Sequence, residues 1–438
     1  MADHATSSDP TVQGQLDRLA RLSPGADILG LERITTLLAR LGDPQLRLPP
    51  IFHVAGTNGK GSTCAYLRAA LEADGRRVHV FTSPHLVRFN ERIRLAGMLI
   101  SDAMLAHYLG RVLDIAEGVG ASFFEVTTAA AFLAFSEVAA DALVLEVGLG
   151  GRLDATNVVT APAVCGIAQL GVDHEAFLGS DIVGIAREKA GIAKHGSPIV
   201  TIALDSPLTD AIAAVAAAAG APLFRAERDW SYAVDPSRDM LVYRDAWGLV
   251  ETPLPALPGA HQFGNLALAI AMLRHQRTLS VSDDALVEAA RTARWPARLQ
   301  RLDHGPLIAP LGKGADVWLD GGHNPAAGEA LAKHFHGVRG MPMILGMLAN
   351  KDASGFLLPL LPHLDSIQVV PVPGHDWHDA DHIAAIAEPH GVRVIAQQDV
   401  PAAVAALATS STRRGPLLIG GSLYLAGRVL EANGQLPD

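Results

Sequence analysis

Short apolar runs alternate with segments of helical periodicity along most of the chain. The runs 51–55, 78–82 and 142–147 predict buried strands, and residues 63–74 between the first two predict a helix. Strands that are apolar throughout are typical of a parallel sheet covered on both faces. The order strand, glycine-rich loop, helix, strand therefore predicts a βαβ unit.

The alternation continues toward the C-terminus. Further apolar runs at 163–170 and 198–204 predict two more strands of the same sheet, and residues 15–41 have helical spacing. Residues 225–257 are shorter and mixed, which favours an antiparallel hairpin region, and helices are predicted at 265–278 and 283–293.

A new strand–helix alternation begins after Trp295–Pro296, so we place a domain boundary there. The fold class expected is α/β: an N-terminal P-loop-type, mostly parallel sheet with helices on both faces, and a smaller C-terminal Rossmann-like domain. The expected domains are residues 1–296 and 297–438, with residues 1–15 disordered. Strands of the second domain are predicted at 317–320, 343–345, 367–370, 392–396 and 416–419.

Composition narrows the class of protein. Hydrophobic residues make up 49% of the 438, a globular composition, and a net charge of −10 without a basic block argues against nucleic acid as a partner. The two cysteines, Cys64 and Cys165, could pair, but a reduced chain is the simpler interpretation. The polar start MADHATSSDP lacks a signal-peptide core, and no apolar run is long enough to span a membrane. We expect a cytoplasmic protein.

The loop after the first strand, GTNGKGST at 56–63, indicates phosphate binding. Glycines let backbone N–H groups approach an anion, the next helix directs its positive end toward it, and Lys60 reaches the β- and γ-phosphates. The usual P-loop pattern does not fit, because Gly61 separates Lys60 from Ser62. The alternative is an ordinary glycine-rich turn.

Three polar side chains follow ends of predicted strands: Ser83, Glu146 and His174. Ligands of parallel sheets bind at these carboxyl ends, and Mg²⁺ prefers oxygen ligands, so the set suggests a magnesium site. Read singly, Ser83 could cap a helix, Glu146 could form a surface ion pair, and His174 could bond a loop. Lys189 would repel a cation unless carbamylation by CO₂ made it an acidic ligand, and from the sequence alone it is an ordinary helix lysine.

Nine motifs, in order along the chain, resemble those of folylpolyglutamate synthases, including the bifunctional dihydrofolate synthase form, within the Mur-ligase-like amide ligases. They extend from about residue 27 to 425 and are specific as a set. They are GTNGKGST (56–63), TSPHL (82–86), FNERI (89–93), EVGLGGRLDATN (146–157), DH (173–174), REKAGI (187–192), WPARL (295–299), LDGGHNP (319–325) and GSLYL (421–425). Ala297, Gly322 and Asn350 depart from the usual family residues without removing a charged or metal-binding group.

The resemblance implies a role for each matching position. The glutamate would be held by Arg92, His323 and Ser422, and catalysis would use Lys60, Lys189, His323 and Arg92. Magnesium ligands would be Ser83, Glu146, His174 and carbamylated Lys189, for two ions. ATP would contact Gly56, Thr57, Asn58, Gly59, Lys60, Gly61, Ser62, Thr63, Asn265, Arg298 and Asp320. The pterin pocket would use Asp27, Ile28, Leu29, Phe124, Glu125, Leu153, Asp154 and Ala155.

The C-terminal residues also have ordinary structural interpretations. Arg298 could form a linker salt bridge, Asp320 could cap a helix, and His323 could bond a loop carbonyl. The histidines of GHDWHDADH (374–382) favour an exposed loop over a metal site.

The activity implied is ATP-dependent addition of L-glutamate to dihydropteroate and to folate mono- and polyglutamates through an acyl phosphate. ATP and Mg²⁺ would be the cofactors, small molecules the partners, and a monomer the working form. Alternatives are a folylpolyglutamate synthase alone, another Mur-type amino-acid ligase, a P-loop kinase or NTPase, and a non-enzymatic nucleotide-binding module. A UDP-binding Mur domain is not expected, because only about 50 residues precede the loop.

Overall fold

The structure is a computed structural model that describes residues 5–22, 29–409 and 415–438. The chain divides into two compact units. The first runs through Ala256 and takes up Gln262–Arg294, and the second comprises Leu257–His261 and Trp295–Asp438.

The first unit is built on a sheet of eight strands within the described residues, in the order β4-β3-β2-β5-β1-β6-β7-β8. Strands β2, β5, β1, β6, β7 and β8 are parallel, while β3 and β4 are antiparallel at one edge. Every residue of β1 is buried, the four apolar residues as expected for a central strand and His53 with them. The strands are β1 (Ile51–Ala55), β2 (Val78–Phe81), β3 (Ile93–Leu95), β4 (Met98–Leu99), β5 (Ala142–Glu146), β6 (Val164–Ile167), β7 (Ile199–Thr201) and β8 (Leu223–Arg225).

Helices cover both faces of this sheet. One core joins Leu143 and Leu145 of β5 to the first, second, fourth and fifth helices, and the alternate residues of β5 face the other side, where the third helix packs. The helices of this unit are α1 (Pro10–Leu22), α2 (Glu32–Arg40), α3 (Lys60–Ala73), α4 (Asp102–Ile115), α5 (Phe123–Glu137), α6 (Glu175–Leu178), α7 (Ile182–Ala190), α8 (Ser206–Ala219), α9 (His261–His275) and α10 (Asp283–Thr292). The first residue of α9, His261, is assigned to the second unit.

The mixed segment forms a three-stranded antiparallel sheet, β9 (Trp230–Asp235), β10 (Met240–Asp245) and β11 (Gly248–Pro253). Arg274 of α9 binds Asp245 at the end of β10 through two hydrogen bonds of 2.6 and 2.8 Å. The antiparallel arrangement expected for 225–257 is confirmed.

The second unit contains a six-stranded sheet within the described residues, in the order β12-β13-β17-β14-β15-β16, antiparallel only at β12. Its strands are β12 (Gln300–Leu302), β13 (Val317–Asp320), β14 (Met341–Leu345), β15 (Leu364–Val369), β16 (Arg393–Ala396) and β17 (Leu417–Gly420). Its helices are α11 (Pro325–His334), α12 (Ala353–Leu357), α13 (Ala380–Ala387), α14 (Val400–Thr409) and α15 (Leu423–Ala432).

The α/β fold class is confirmed, with two corrections to detail. Disorder was expected throughout residues 1–15, and this is wrong from residue 10 onward, because α1 begins at Pro10 and buries Val12, Leu16 and Leu19. Helix α3 begins at Lys60 and not at residue 63, so the loop's lysine and serine lie in the first turn.

Candidate nucleotide- and folate-binding site

The glycine-rich loop lies between β1 and α3 and is held by the segment after β6. The backbone N–H groups of Thr57 and Asn58 both donate to Gln169 O, at 2.8 and 3.1 Å. The Thr57 hydroxyl donates to Gly171 O at 2.8 Å and accepts from Gly171 N at 3.1 Å. These bonds hold the loop at Thr57 and Asn58, and they do not involve the N–H groups of the residues that follow in the loop.

Gly59 is the N-cap of α3 and has φ of 82°, the left-handed region that favours glycine. A Cβ here would lie 2.4 Å from Asn265 Oδ1, so α9 closely approaches the loop. Gln262 connects the two elements: its amide donates to Ser62 Oγ at 3.2 Å and accepts from Asn265 Nδ2 at 3.0 Å. Because the first N–H groups of a helix lack intrahelical acceptors and Gly59 has no capping side chain, this end of α3 suits an anion.

Two lysines converge on one loop carbonyl. Lys60 Nζ and Lys189 Nζ each donate to Gly56 O at 3.1 Å, and Lys189 is buried. Burial, reinforced by the charge of Lys60 and opposed by Asp173 and Asp154, lowers the pKa of Lys189 to about 7. The amine of Lys189 is therefore partly neutral near pH 7, while the pair retains positive charge beside the helix N-terminus.

Ser83 and Glu146 come together, as expected from their positions at the ends of the adjacent strands β2 and β5. Glu146 is the last residue of β5, is buried, and accepts from Ser83 N at 3.3 Å. His174 lies in an exposed segment after β6, with φ of 54°, where it precedes α6. Within residues 5–22, 29–409 and 415–438, no cluster of three or more His, Cys, Asp or Glu side chains could hold a metal by itself.

The loop after β5 is closed by the carboxylate of Asp154. Its Oδ2 accepts from Leu149 N at 2.7 Å, and its Oδ1 accepts from Thr156 N at 3.0 Å. Burial raises the pKa of Asp154, while its hydrogen bonds oppose that shift. Leu153 is half-buried and Ala155 is buried beside it.

Phe124 forms one wall of this loop. Its ring packs against Gly148, where a Cβ would lie 2.4 Å from Phe124 Cζ. Glu125 is buried and accepts from Arg33 Nε at 3.0 Å and from Ser122 N at 2.8 Å, which makes it part of the capping box of α5. Its carboxylate therefore already serves the fold. Leu29 is half-buried, and Asp27 and Ile28 lie outside the described residues.

Arg92 is also in the first unit and is almost fully buried, with its guanidinium 5.3 and 5.6 Å from the ring centres of Phe89 and Phe123. Its Nε donates to His85 Nδ1 at 2.8 Å. That bond requires His85 Nδ1 to be unprotonated, so His85 accepts while it orients the arginine.

In the second unit, Asp320 is the last residue of β13, and its carboxylate binds the backbone before β12 and after β13. Its Oδ2 accepts from Leu299 N at 2.8 Å and its Oδ1 from Gly322 N at 2.7 Å. Arg298 is half-buried between Ala297 and Leu299, whose φ values are 56° and 46°. Ala297 therefore occupies the left-handed region, which favours glycine over a residue with a Cβ.

His323 and Ser422 follow the ends of β13 and β17 in the second unit. His323 Nδ1 lies 3.0 Å from Gly321 O, and this bond requires a proton on Nδ1. Ser422 is buried and N-caps α15 by accepting from Leu425 N at 3.0 Å. Both side chains are thus oriented by loop or helix backbone.

The residues of the loop fit a triphosphate. Gly59, with φ of 82°, caps the N-terminus of a 14-residue helix, and Lys60 and Lys189 both donate to Gly56 O of the same loop. The positive charge of Lys60 beside this helix N-terminus would be neutralised by the oxygens of a polyanion.

Sequence reasoning missed Gln262, His85 and Arg33. Gln262 acts on a residue 200 positions earlier, so no local pattern could reveal it. His85 lies within the motif TSPHL, and Arg33 follows the predicted pterin-pocket residue Leu29 by four positions. The signal for each was a polar residue in a segment that becomes partly buried.

Three comparisons with known proteins place this chain among folate enzymes. Residues 307–432 match the family model described as dihydrofolate synthetase, C-terminal domain. The dihydrofolate synthase/folylpolyglutamate synthase of Escherichia coli is 37% identical, over 79% of this chain and 78% of that protein. The dihydrofolate synthetase of Saccharomyces cerevisiae is 31% identical over 92% and 97%.

A longer relative is a probable bifunctional folylpolyglutamate synthase/dihydropteroate synthase of Halobacterium salinarum, 35% identical over 90% of this chain. This chain spans only 48% of that protein's length.

Solved structures agree over nearly the whole chain. Escherichia coli FolC in complex with DHPP and ADP has a TM-score of 0.85 at 33% identity, covering 97% of each chain. A bifunctional folylpolyglutamate synthase/dihydrofolate synthase with Mn, AMPPNP and L-glutamate bound has a TM-score of 0.84 at 33% identity, covering 97% and 98%. In the described part of this chain, no helix has the length and apolar character needed to cross a membrane.

Proposed function

Since this chain belongs to the dihydrofolate synthase/folylpolyglutamate synthase family, we propose that it uses ATP to join L-glutamate to dihydropteroate and to reduced folates. The enzyme is an ATP-dependent acid–amino-acid ligase that requires a divalent cation. We assign Mg²⁺ to that role and a separate task to each part of the site.

The observation that carries the proposal is the convergence of Lys60 and Lys189 on Gly56 O at the N-terminus of α3. Amide formation needs an activated carboxylate, and the family's route is phosphorylation of the acid to an acyl phosphate. Positioning and charge neutralisation dominate phosphoryl transfer. Lys60 and the N–H groups of the first turn would hold the triphosphate, while Asn265, Arg298 and Asp320 would bind the rest of the nucleotide.

Ser83, Glu146, His174 and a carbamylated Lys189 are proposed to hold the divalent cations. The support is the buried Glu146 carboxylate beside Ser83 and the hard oxygen ligands that Mg²⁺ prefers. When bound, these cations would neutralise charge on the transferred phosphoryl group.

Carbamylation of Lys189 is supported by its environment. Only the neutral amine reacts with CO₂, and burial brings the pKa of Lys189 to about 7. The reaction joins the amine nitrogen to the carbon of CO₂ and releases one proton, which leaves a carbamate. The two adjacent lysines would then become one cation and one anion, which removes their repulsion.

The folate would bind at the loop closed by Asp154 and bordered by Phe124. A half-buried aromatic ring against backbone, next to the half-buried Leu153, offers a flat surface of the kind a pterin requires. Glu125 is proposed to support this pocket through Arg33 and Ser122, because its bonds to both keep its carboxylate within the fold.

Arg92, His323 and Ser422 are proposed to hold the incoming glutamate. An arginine matches a carboxylate with two parallel hydrogen bonds, and a hydroxyl and an imidazole can bind the remaining polar atoms. The glutamate amine must be neutral when it attacks the acyl phosphate, after which phosphate leaves and the amide forms.

Steady-state assays test the activity directly. Purified protein with MgATP and L-glutamate is given either dihydropteroate or tetrahydrofolate, and ADP and the glutamylated product are both measured. We expect ADP release that requires glutamate and either folate. Turnover with tetrahydrofolate alone would reduce the assignment to a folylpolyglutamate synthase, and ADP release without glutamate would point to an NTPase.

Lys60→Met tests the proposed role of the loop. Turnover should fall by about 100-fold or more, as for loss of a charge that stabilises the transition state. Lys313→Met is the control, because Lys313 is exposed. Equal turnover of Lys60→Met and wild type, with both folded, would contradict the loop assignment.

The domain roles follow from these positions. We propose residues 1–296 as the ATP- and folate-binding domain and 297–438 as the glutamate-ligase domain, in a monomer working in the cytoplasm. Both cysteines, Cys64 and Cys165, are buried free thiols, as a reducing compartment favours. Light scattering at enzyme concentrations used in the assay measures the oligomeric state, and a dimeric mass would contradict the monomer.

A further inference from the structure

A histidine lies inside the central strand of the first sheet. His53 is in the middle of β1, between β5 and β6, and has no exposed surface. Its Nε2 lies 2.9 Å from the hydroxyl of Thr156, and that hydroxyl donates to Asp154 Oδ1 at 2.5 Å. A continuous chain of hydrogen bonds therefore connects β1 to the loop after β5.

The direction of these bonds follows from the donors available. An ionised carboxylate only accepts, so the single hydroxyl proton of Thr156 points to Asp154. The contact with His53 must then be an N–H from Nε2 to Thr156 Oγ1. Burial lowers the pKa of His53 to about 3, so the ring is neutral and its Nδ1 carries no proton. Within the described residues, that Nδ1 has no hydrogen-bond partner.

The end of this chain shapes the loop. Asp154 accepts from Leu149 N, five residues earlier, and from Thr156 N, two residues later. It also N-caps the 3₁₀ turn Ala155–Val158. The carboxylate therefore holds both ends of the segment that contains Leu153, and a donated bond from Thr156 keeps its orientation fixed.

We propose that His53 and Thr156 are positioning residues for the folate, acting through Asp154 to hold loop 148–158 in the shape that receives the pterin. The inference rests on the proposed function, because it takes this loop as the folate site. Bonds in such a chain polarise one another, so the imidazole strengthens the bond from the hydroxyl to the carboxylate. Neither residue is required to touch the substrate.

The arrangement separates folate binding from nucleotide binding. His53 is only three residues before Gly56, yet the phosphate loop is held by different partners, Gln169 and Gly171. Removal of the Thr156 hydroxyl therefore leaves the bonds of the phosphate loop in place. A general loss of packing in β1 would instead disturb both ligands.

Thr156→Val is the informative change, since it keeps the shape and removes the hydroxyl, and Thr156→Ser is the matched control that retains it. We expect Thr156→Val to raise the KM for dihydropteroate about tenfold, as for loss of one hydrogen bond to a charged group. The KM for ATP should stay within about twofold, and Thr156→Ser should resemble wild type in both. His53→Gln, which keeps a donor, should be affected less than His53→Leu.

A second measurement does not depend on activity. Hydrogen exchange of the Leu149 amide in the ligand-free protein should accelerate in Thr156→Val and not in Thr156→Ser, because Asp154 is its acceptor. If Thr156→Val fails to fold, the two His53 variants give the same comparison.

The outcomes separate the two proposals. Inactive wild-type enzyme would contradict the proposed function, and with it the role of His53 and Thr156 in folate binding. If the wild type is active, three results would overturn the role of His53 and Thr156 alone. They are an unchanged KM for dihydropteroate in Thr156→Val, an equal rise in the KM values for dihydropteroate and ATP, and equal effects of the valine and serine substitutions.

Discussion

Replacing Gly59 by alanine tests how closely α9 supports the phosphate loop. The new methyl group would meet two obstacles: a φ of 82° and the Asn265 carbonyl oxygen at 2.4 Å. The left-handed conformation costs roughly 1–2 kcal/mol for a residue with a Cβ. Asn265 must also move away, which breaks its 3.0 Å bond to Gln262.

The displacement of Asn265 determines the effect on the nucleotide. The lost contact to ATP, about 1 kcal/mol, weakens ATP binding by about fivefold, while the lost bond to Gln262 lowers the stability of the protein. The KM for ATP in steady-state assays should therefore rise by about that factor, and the folate KM should remain close to the wild-type value.

Gly75→Ala provides the matched control at the other end of α3. Its φ of 78° is nearly the same, but nothing lies within 4 Å of the added Cβ. Gly75→Ala should lose the same roughly 1–2 kcal/mol of stability without changing the KM for ATP. The reasoning is refuted if the Gly59→Ala enzyme keeps its ATP KM, or if Gly75→Ala raises it equally.

Two further changes concern buried charges. In CO₂-free buffer the pKa of Lys189 is lower in the folded chain, about 7, than in the unfolded chain at 10.5, so the unfolded state holds the extra proton between these values. We expect the free energy of unfolding, measured by urea denaturation, to rise between pH 7 and pH 9 by about 2 kcal/mol more in wild type than in Lys189→Met. An equal rise in the two proteins would contradict the lowered pKa of Lys189. Arg33→Met leaves the buried Glu125 carboxylate without its ion pair and should lower that free energy by about 2 kcal/mol. Arg111→Met removes a half-exposed pair with Glu137 and should change it by less than about 1 kcal/mol, so equal losses in the two variants would contradict the role of burial.

The sequence revealed the sheets because their strands are mostly apolar without interruption, as in β14 and β17. It failed at residues 10–14 of α1, which precede the predicted helical segment 15–41, because this turn presents only Val12 to the core within a polar segment. Such a helix is stabilised mainly by tertiary packing, and its partners on α4 lie far along the chain.

The site was predictable to the extent that strand ends determine it. Ser83 and Glu146 meet because parallel strands β2 and β5 end at the same edge. The bond between Gln262 and Ser62 was not predictable, because it depends on the packing of α9 against α3. The resemblance assigns Glu125 to the pterin pocket, yet its contacts with Arg33 and Ser122 follow only from the folded backbone.

Isotope transfer tests most directly that this protein activates a folate carboxylate with ATP. Dihydropteroate labelled with ¹⁸O in its carboxylate is incubated with enzyme, MgATP and glutamate, and the released phosphate is analysed by mass spectrometry. An acyl phosphate retains one carboxylate oxygen on phosphorus when the amine attacks, so we expect one ¹⁸O in the phosphate for each dihydrofolate formed. Dihydrofolate formation with unlabelled phosphate, or phosphate release without glutamylated product, would contradict the account.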